Sequence, residues 1–272
     1  MSETRASAPR ILLGVTTYNR MQTVALAARS LRHAEGVGEV AVVVIDDASE
    51  EYSLDALRPL FPPGTAFIRR EVNSGRADYA AHALMRYFIE KRDEGLLVCL
   101  DSDLLVAGDF LARIRAAWPK SDGVLSLFNA HTHPGVRSAR GEGLLEKETV
   151  GFAGTVWSRA VIADVLVNVV PTPRFDWDIC KLLEETGRAI VCLEDSAVQH
   201  IGMVGQNSRF LTSDYGLGFA DAHWANLSAI QEATLFGARE EIAALRKRVG
   251  ALRKEVTMLR VKDAVAGLRK KR

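Results

Sequence analysis

The sequence predicts an α/β fold built on a mostly parallel sheet flanked by helices. Apolar runs that end in carboxylates alternate with segments of helical spacing, and within those runs apolar and polar residues do not alternate, so both faces of the sheet are covered. Ile11 to Thr16 (ILLGVT) is the first run, stopped at Asn19-Arg20 and followed by a helical pattern from Met21 to His33. Val40 to Ile45 (VAVVVI) is rich in β-branched residues and ends at Asp46-Asp47, while Leu96 to Leu100 (LLVCL) ends at Asp101-Ser102-Asp103. Between them, Ala77 to Lys91 carries Tyr79, Ala83, Leu84, Tyr87 and Phe88 at helical spacing. Val124 to Phe128 and Val150 to Trp157 are expected strands, Arg159 to Val167 an expected helix, and Asp178 to Thr186 another, closed by Gly187 at its C-terminal cap. Ala189 to Leu193 and Val198 to Ile201 complete the strands. From Gly202 to Phe219 the chain is weakly patterned, which predicts a mobile loop over the site. The polar residues gather at the carboxyl ends of the strands, the edge where open α/β sheets bind ligands.

At 272 residues and 48% hydrophobic, with 25% charged residues, the chain has ample apolar material for a core, which excludes disordered, collagen-like and disulfide-stapled classes. Cys99, Cys180 and Cys192 sit in apolar runs without CxxC spacing and read as buried, reduced thiols, which predicts a cytoplasmic protein. The first ten residues lack an apolar signal core, and no stretch approaches the length of a membrane span. The net charge of +1 argues against nucleic acid as a partner, yet it conceals a division. Arg239 to Arg272 holds 12 Lys and Arg against 4 Asp and Glu, a net of +8, which leaves −7 for the rest of the chain.

That basic segment follows a heptad pattern. With Ile242 at position a, Leu235, Ile242, Val249 and Val256 fall at a, and Ala238, Leu245, Leu252 and Leu259 at d. Branched residues at a with leucine at d favour a parallel two-stranded coil, so a homodimer through residues 229–262 is expected. Position e is always arginine, and position g holds Glu241, Arg248, Glu255 and Lys262. A parallel pair would match Glu241 with Arg246 and Glu255 with Arg260 but oppose Arg248 to Arg253. A second reading lays the helix on anionic lipid, with Arg269-Lys-Lys-Arg272 as an electrostatic foot at the inner face of the membrane, and a third folds it back on its own domain.

Asp101-Ser102-Asp103 carries the first readable chemistry. Two carboxylates one residue apart at the end of a buried strand suit a hard divalent ion and the phosphate oxygens it binds. The structural alternative is a helix N-cap by Ser102 or Asp103. Other motifs stand in order around it: Thr16-Thr17-Tyr18-Asn19-Arg20 after the first strand, Asp46-Asp47 after the second, and Asn73-Ser74-Gly75-Arg76 before a helix. Further on come Asp176-Trp177-Asp178 at a helix start and Gln199-His200-Ile201-Gly202 after the last strand. Over about residues 10 to 202 this series resembles the nucleotide-sugar-dependent glycosyltransferases of the GT-A fold, specifically the inverting enzymes of family 2.

The resemblance implies a GT-A fold and a role for each matching position. Thr16 to Asn19 would hold the base, with Thr16 in place of the usual proline, and Asp47 would bind the uracil edge with Asp46 beside it. Asn73, Gly75 and Arg76 would contact the nucleotide, although Arg76 has Asp78 and Glu71 as alternative partners. Asp101 would approach the ribose, with Ser102 beside it, and Asp103 the metal, Mn²⁺ or Mg²⁺, with His200 as its second protein ligand. Asp176 falls at the general-base position, with Phe175 where the family has glutamate. Asp178 is the rival base and would otherwise only meet the helix dipole. Gly154 and Trp157 would line the sugar and acceptor cleft, with the protein core as the alternative place for Trp157; His131-Thr-His133-Pro134 would form an acceptor-side or surface loop.

The expected organisation is a tail over 1–9, a catalytic domain over 10–228 and the basic helix over 229–272. The catalytic domain would have a nucleotide half near 10–120 and an acceptor half near 121–228. The expected activity is transfer of a sugar from a nucleotide diphosphate, UDP first, to a hydroxyl of a glycan or lipid-linked acceptor. A non-catalytic sugar-nucleotide-binding scaffold dimerised by its coil is the alternative from another class. A sugar nucleotidyltransferase is disfavoured, because Gly14-Val-Thr-Thr-Tyr lacks the Gly-rich loop a triphosphate needs.

Overall fold

Alternate residues of the central strands point to opposite sides of one sheet and divide the interior into two cores. The computed structural model describes residues 9–137, 140–202 and 214–220. Of the C-terminal segment it describes 235, 238–239, 241–243, 245–254 and 256–258. The elements are β1 (Ile11–Thr17), α1 (Met21–His33), β2 (Ala41–Asp46), α2 (Leu54–Leu57), β3 (Ala66–Arg69), α3 (Ala77–Lys91), β4 (Leu96–Asp101), β5 (Leu104–Val106), α4 (Phe110–Ala117), β6 (Val124–Ser126), β7 (Val136–Arg137), β8 (Leu144–Lys147), β9 (Thr155–Ser158), α5 (Arg159–Asn168), α6 (Phe175–Glu185), β10 (Ile190–Leu193) and β11 (Val198–His200).

Among the described residues the main sheet runs β3-β2-β1-β4-β9-β6-β10-β8-β7. Its N-terminal half, β3-β2-β1-β4, is entirely parallel, with Leu13 opposite Val42 and Val98, as the non-alternating apolar runs require. Beyond β4 the sheet is mixed: β9 runs antiparallel to both β4 and β6, and β8 antiparallel to β10. Leu13, Val15, Val42, Val44, Val98 and Leu100 enter one core beneath α1 and α4. Leu12, Val43, Ile45, Leu97 and Cys99 enter the other with Leu84 and Phe88 of α3 and with α5 and α6. Every one of these side chains is at most 7% exposed, so both faces of the sheet are sealed, and the sheet's polar ends are left for chemistry.

α1 and α3 occupy the expected spans, and α6 ends where Gly187 donates to Glu184 O and Arg188 to Leu183 O, a Schellman closure. The expected strand Val150 to Trp157 is cut to β9. Gly154 stands at φ +67° and turns the chain before the strand can start, and a Cβ there would lie 2.6 Å from Val198. Sequence reasoning passed over β3, β5, β7, β8, α2 and α4. α4 had a signal in Phe110, Leu111, Ile114 and Ala117, which recur at helical spacing and are all buried. β5 pairs with β11 as a separate two-stranded sheet that brings His200 opposite Leu104.

The chain divides into two units, residues 1–221 and 222–272. In the second, the described residues between 235 and 258 are helical, and Leu235, Ile242, Leu245, Val249, Leu252 and Val256 are 44–53% exposed. Residues 1–8 of the expected tail over 1–9, residues 203–213 of the expected mobile loop, and Glu255, Leu259, Arg260, Lys262 and Arg269 to Arg272 lie outside the described residues. The far end of that loop, Asp214–Phe219, is pinned: Gly216 N donates to Gln199 Oε1, Leu217 N to Asn129 O and Ser196 N to Leu217 O.

Candidate active site

The ends of β1 and β2 are laced together by side chains. Thr17 Oγ1 lies 2.5 Å from the Tyr52 hydroxyl, which also donates to Asn19 O. Asn19 Oδ1 accepts from Glu50 N and Glu51 N, and Asn19 N donates to Ser49 Oγ. These bonds hold Asn19 and Arg20 in the left-handed region at φ 51° and 57°, a conformation that non-glycine residues keep only where the surroundings over-determine it. Tyr18 is half-buried at the same edge.

Asp46 and Asp47 are both buried and both answered by arginine. β2 and β3 pair with Asp46 opposite Arg69, so the doublet Asp46-Asp47 meets the doublet Arg69-Arg70: Arg69 Nε donates to Asp46 Oδ2 at 2.5 Å and Arg70 Nη1 to Asp47 Oδ1 at 2.7 Å. Asp46 also accepts from Ser49. Asp47 further accepts from Asn73 Nδ2 at 3.0 Å and from Ser74 N and Oγ, which folds the segment 70–75 against the strand end; Gly75 N closes the turn on Asn73 Oδ1. The sequence reading missed Tyr52, Arg69 and Arg70 and gave no role to Ser49 and Ser74. The arginine doublet directly after an apolar stretch was the available signal for two of them.

The Asp101-Ser102-Asp103 turn closes β4. Ser102 N donates to Thr16 O, and β5 begins at Leu104, so the turn leads to a strand and the N-cap alternative falls away. Thr16 Oγ1 donates to Asp101 Oδ1 at 3.0 Å. Burial, and then the negative charge of Asp103, push the Asp101 carboxyl up to about 6. Asp103 Oδ2 accepts from Arg20 Nη1 at 3.0 Å and lies 3.4 Å from His200 Nε2. Burial acts to raise Asp103, but His200 and Arg20 outweigh it and hold the carboxyl below its usual range. Burial acts to lower His200, and the two aspartates outweigh it and raise the imidazole.

His200 Nδ1 is buried with no hydrogen-bond partner, and Gly202 runs beside the pair: a Cβ there would overlap Asp103 Oδ2 and lie 3.0 Å from His200 Nε2. The glycine keeps the space beside one carboxylate oxygen and one imidazole open, a donor pair that suits Mn²⁺ or Mg²⁺. Among the described residues no group of three or more His, Cys, Asp or Glu could hold an ion alone. An ion here would take its remaining ligands from diphosphate oxygens and water, the usual arrangement for Mg²⁺. Gly202 is a site residue that the sequence reading quoted but gave no role.

On the other side, α3 and α6 meet with His82 edge-on to Phe175 at 5.4 Å, and Phe175 stacks on Phe152. Asp176 Oδ1 accepts from Trp177 N, and Asp178 Oδ2 accepts from Thr172 Oγ1 at 2.9 Å, which ties Asp178 to the loop that enters the helix. Arg76 pairs with Asp78 at 3.7 Å, the partner the sequence offered as its alternative. Burial, and then the charge of Asp176, raise Asp78, a carboxylate without an assigned role at the sequence level. Trp157 corrects the expected cleft: it is 1% exposed, its Nε1 donates to Thr155 Oγ1, and it packs in the second core. Gly154 is likewise buried, and its value is the close approach to Val198. His131 stacks on Tyr215 at 4.0 Å with Nδ1 3.0 Å from Asp214, so a carboxylate remote in sequence joins that loop.

The sequence profile of Glycosyl transferase family 2 matches residues 13–151, half of the chain. The chain belongs to that family. The match runs from β1 through the turn that closes β4 to the start of the segment leading into β9, and so includes Asp46, Asp47, Asp101 and Asp103. Among solved structures, S. aureus TarS 1-349 is similar at 18% identity over 70% of this chain and 59% of that one, with a TM-score of 0.52. The same protein in complex with UDP-GlcNAc gives 18% identity over 70% and 57%, with a TM-score of 0.51. At that identity the likeness shows a shared GT-A fold, and the chain spans less than two thirds of the length of those structures. No curated protein sequence matches.

Proposed function

We propose that the chain is an inverting glycosyltransferase that moves a sugar from a nucleotide diphosphate, UDP first, to a hydroxyl of a glycan or lipid-linked acceptor. The observation that carries this reading is the convergence of Asp103, at the end of β4, with His200, from the distant β11, around a space kept open by Gly202. Bound between Asp103 and His200, Mn²⁺ or Mg²⁺ would neutralise the departing diphosphate. Thr16 fixes Asp101, which would approach the ribose, and the laced loops of Thr17 to Arg20 and Asp47 to Arg76 would form the nucleotide's side of the site. UDP is the first nucleotide to test because the similar TarS is solved with UDP-GlcNAc.

Asp176 is the proposed general base. It takes the acceptor hydroxyl's proton as the bond to the anomeric carbon forms on the face opposite the leaving diphosphate, which inverts the centre. Asp178 is the weaker choice, since its carboxylate braces the entry to α6 through Thr172. The exposed apolar stripe of the C-terminal helix supports a parallel homodimer through residues 229–262. An antiparallel pair would set the arginines of position e against one another. The terminal Arg269-Lys-Lys-Arg272 offers a contact for anionic lipid if the acceptor is lipid-linked. Among the described residues no helix is long and apolar enough to cross a membrane.

A panel of nucleotide sugars assayed for Mn²⁺-dependent release of the nucleotide tests the whole reading. Asp103→Ala is expected to lose metal-dependent UDP binding, and Asp176→Asn to keep UDP binding and lose transfer. UDP binding by the Asp103 variant at the natural strength overturns the metal assignment, and transfer by the Asp176 variant moves the base elsewhere.

A further inference from the structure

Asp103 offers one oxygen, Oδ2, to two nitrogen donors: Arg20 Nη1 at 3.0 Å and His200 Nε2 at 3.4 Å. The Asp103 side chain is only 9% exposed, so its charge has little water to rest on and needs a positive partner at all times. Arg20 supplies that partner from a backbone held at φ 57°. The bonds from Asn19 to the loop after β2 fix where its side chain starts. The Arg20 side chain is one-third exposed, so it can leave the carboxylate without disturbing a core. A divalent ion on the same oxygen would face the guanidinium across a few ångströms, and two cations there repel. A diphosphate reverses the balance, because its oxygens attract the ion and the arginine together.

We propose that Arg20 holds the cation position on Asp103 in the nucleotide-free protein, and that the divalent ion and the nucleotide diphosphate enter together as the guanidinium passes from the carboxylate to the diphosphate. The inference rests on the metal reading of Asp103 and His200 given above and makes Arg20 the residue that couples the two ligands. Coupling of this kind is reciprocal: whatever factor the nucleotide adds to metal affinity, the metal adds to nucleotide affinity.

The test is Mn²⁺ binding by the full chain, followed by the electron paramagnetic resonance signal of free Mn²⁺, with and without UDP. The proteins compared are the natural chain, Arg20→Gln and Arg20→Gly. The glycine variant suits the left-handed backbone and guards against a folding defect in the first. Without UDP, both variants are expected to bind Mn²⁺ about tenfold more tightly than the natural chain, while UDP tightens Mn²⁺ binding about tenfold in the natural chain and far less in the variants. Equal Mn²⁺ affinities in all three proteins, with equal gains from UDP, overturn the role of Arg20 and leave the metal site standing. Failure of all three to bind Mn²⁺ in either condition overturns the metal reading and this inference with it.

Discussion

Gly202 and Asp103 show how little space a site can turn on. The glycine backbone passes so close to Asp103 Oδ2 that one added methyl group must displace the carboxylate or fill the place beside it. Gly202→Ala is therefore expected to weaken Mn²⁺ binding by about tenfold or more with little change in melting temperature, read by Mn²⁺ titration and a thermal melt. Protons compete for the same groups. Asp101 and His200 are both raised in the fold, so the stability each adds is complete below its unfolded value and is lost as pH rises through its folded value, about 6 for Asp101. Asp103 is lowered, and its contribution is lost only in acid, below the ordinary carboxylate range. From about pH 5 to about pH 8 the site sheds protons that a divalent ion can replace, so the rise in melting temperature caused by Mn²⁺ is expected to be larger at the higher pH. A rise that is equal or smaller there counts against metal binding at this cluster.

Among the elements, α3 depends on a residue from another helix. Arg159, the first residue of α5, donates to the carbonyls of Phe88, Ile89, Arg92 and Glu94 and lies over the Phe88 ring at 4.4 Å, so one guanidinium answers two carbonyls of the last turn of α3 and two of the chain just beyond it. Arg159→Met keeps the stem and removes the donors. It is expected to cost about 2 kcal/mol or more in urea unfolding, with UDP binding retained once the protein is folded. Contacts of this kind also mark the limit of what the sequence discloses. β1, α1, β2, α3 and β4 were legible because each is an unbroken apolar or helical pattern bounded by Asn, Asp or Gly. β5 was hidden because Leu104-Leu-Val106 continues the run interrupted by Asp101-Ser102-Asp103. The span of β9 was overread because the turn at Gly154 is set by Val198, which packs from 44 residues further along. In the site, the acidic residues announced themselves at strand ends. Their partners Arg69 and Arg70, and the neighbours Tyr52 and Gly202, are chosen by sheet register and by the return of the chain, neither of which a linear pattern encodes.

At the scale of the molecule, the acidic catalytic unit and the basic helix pose separate questions. The stripe from Leu235 to Val256 leaves six apolar side chains about half exposed in a single chain. Paired in parallel they would form a continuous seam, so the natural chain is expected to sediment as a dimer. A variant with Leu245→Glu and Leu252→Glu should sediment as a monomer whose catalytic unit melts as before; a dimer that survives both substitutions rules out the seam.

The small sheet of β5 and β11 has a consequence in time as well as in space. Its register joins Leu104 to His200 across 96 residues, so the loop-closure entropy of that long span must be overcome before His200 can reach Asp103. The parallel β-strands of the N-terminal half pair at separations from 23 residues (β2 with β3) to 85 (β1 with β4), and all of them precede Ser102; their ends carry Asp47, Asp101 and Asp103. On the proposed assignment, a chain still emerging from synthesis would hold the nucleotide's side of its site before the ion's second ligand had been made, and competence to bind metal would arrive only with the last strand.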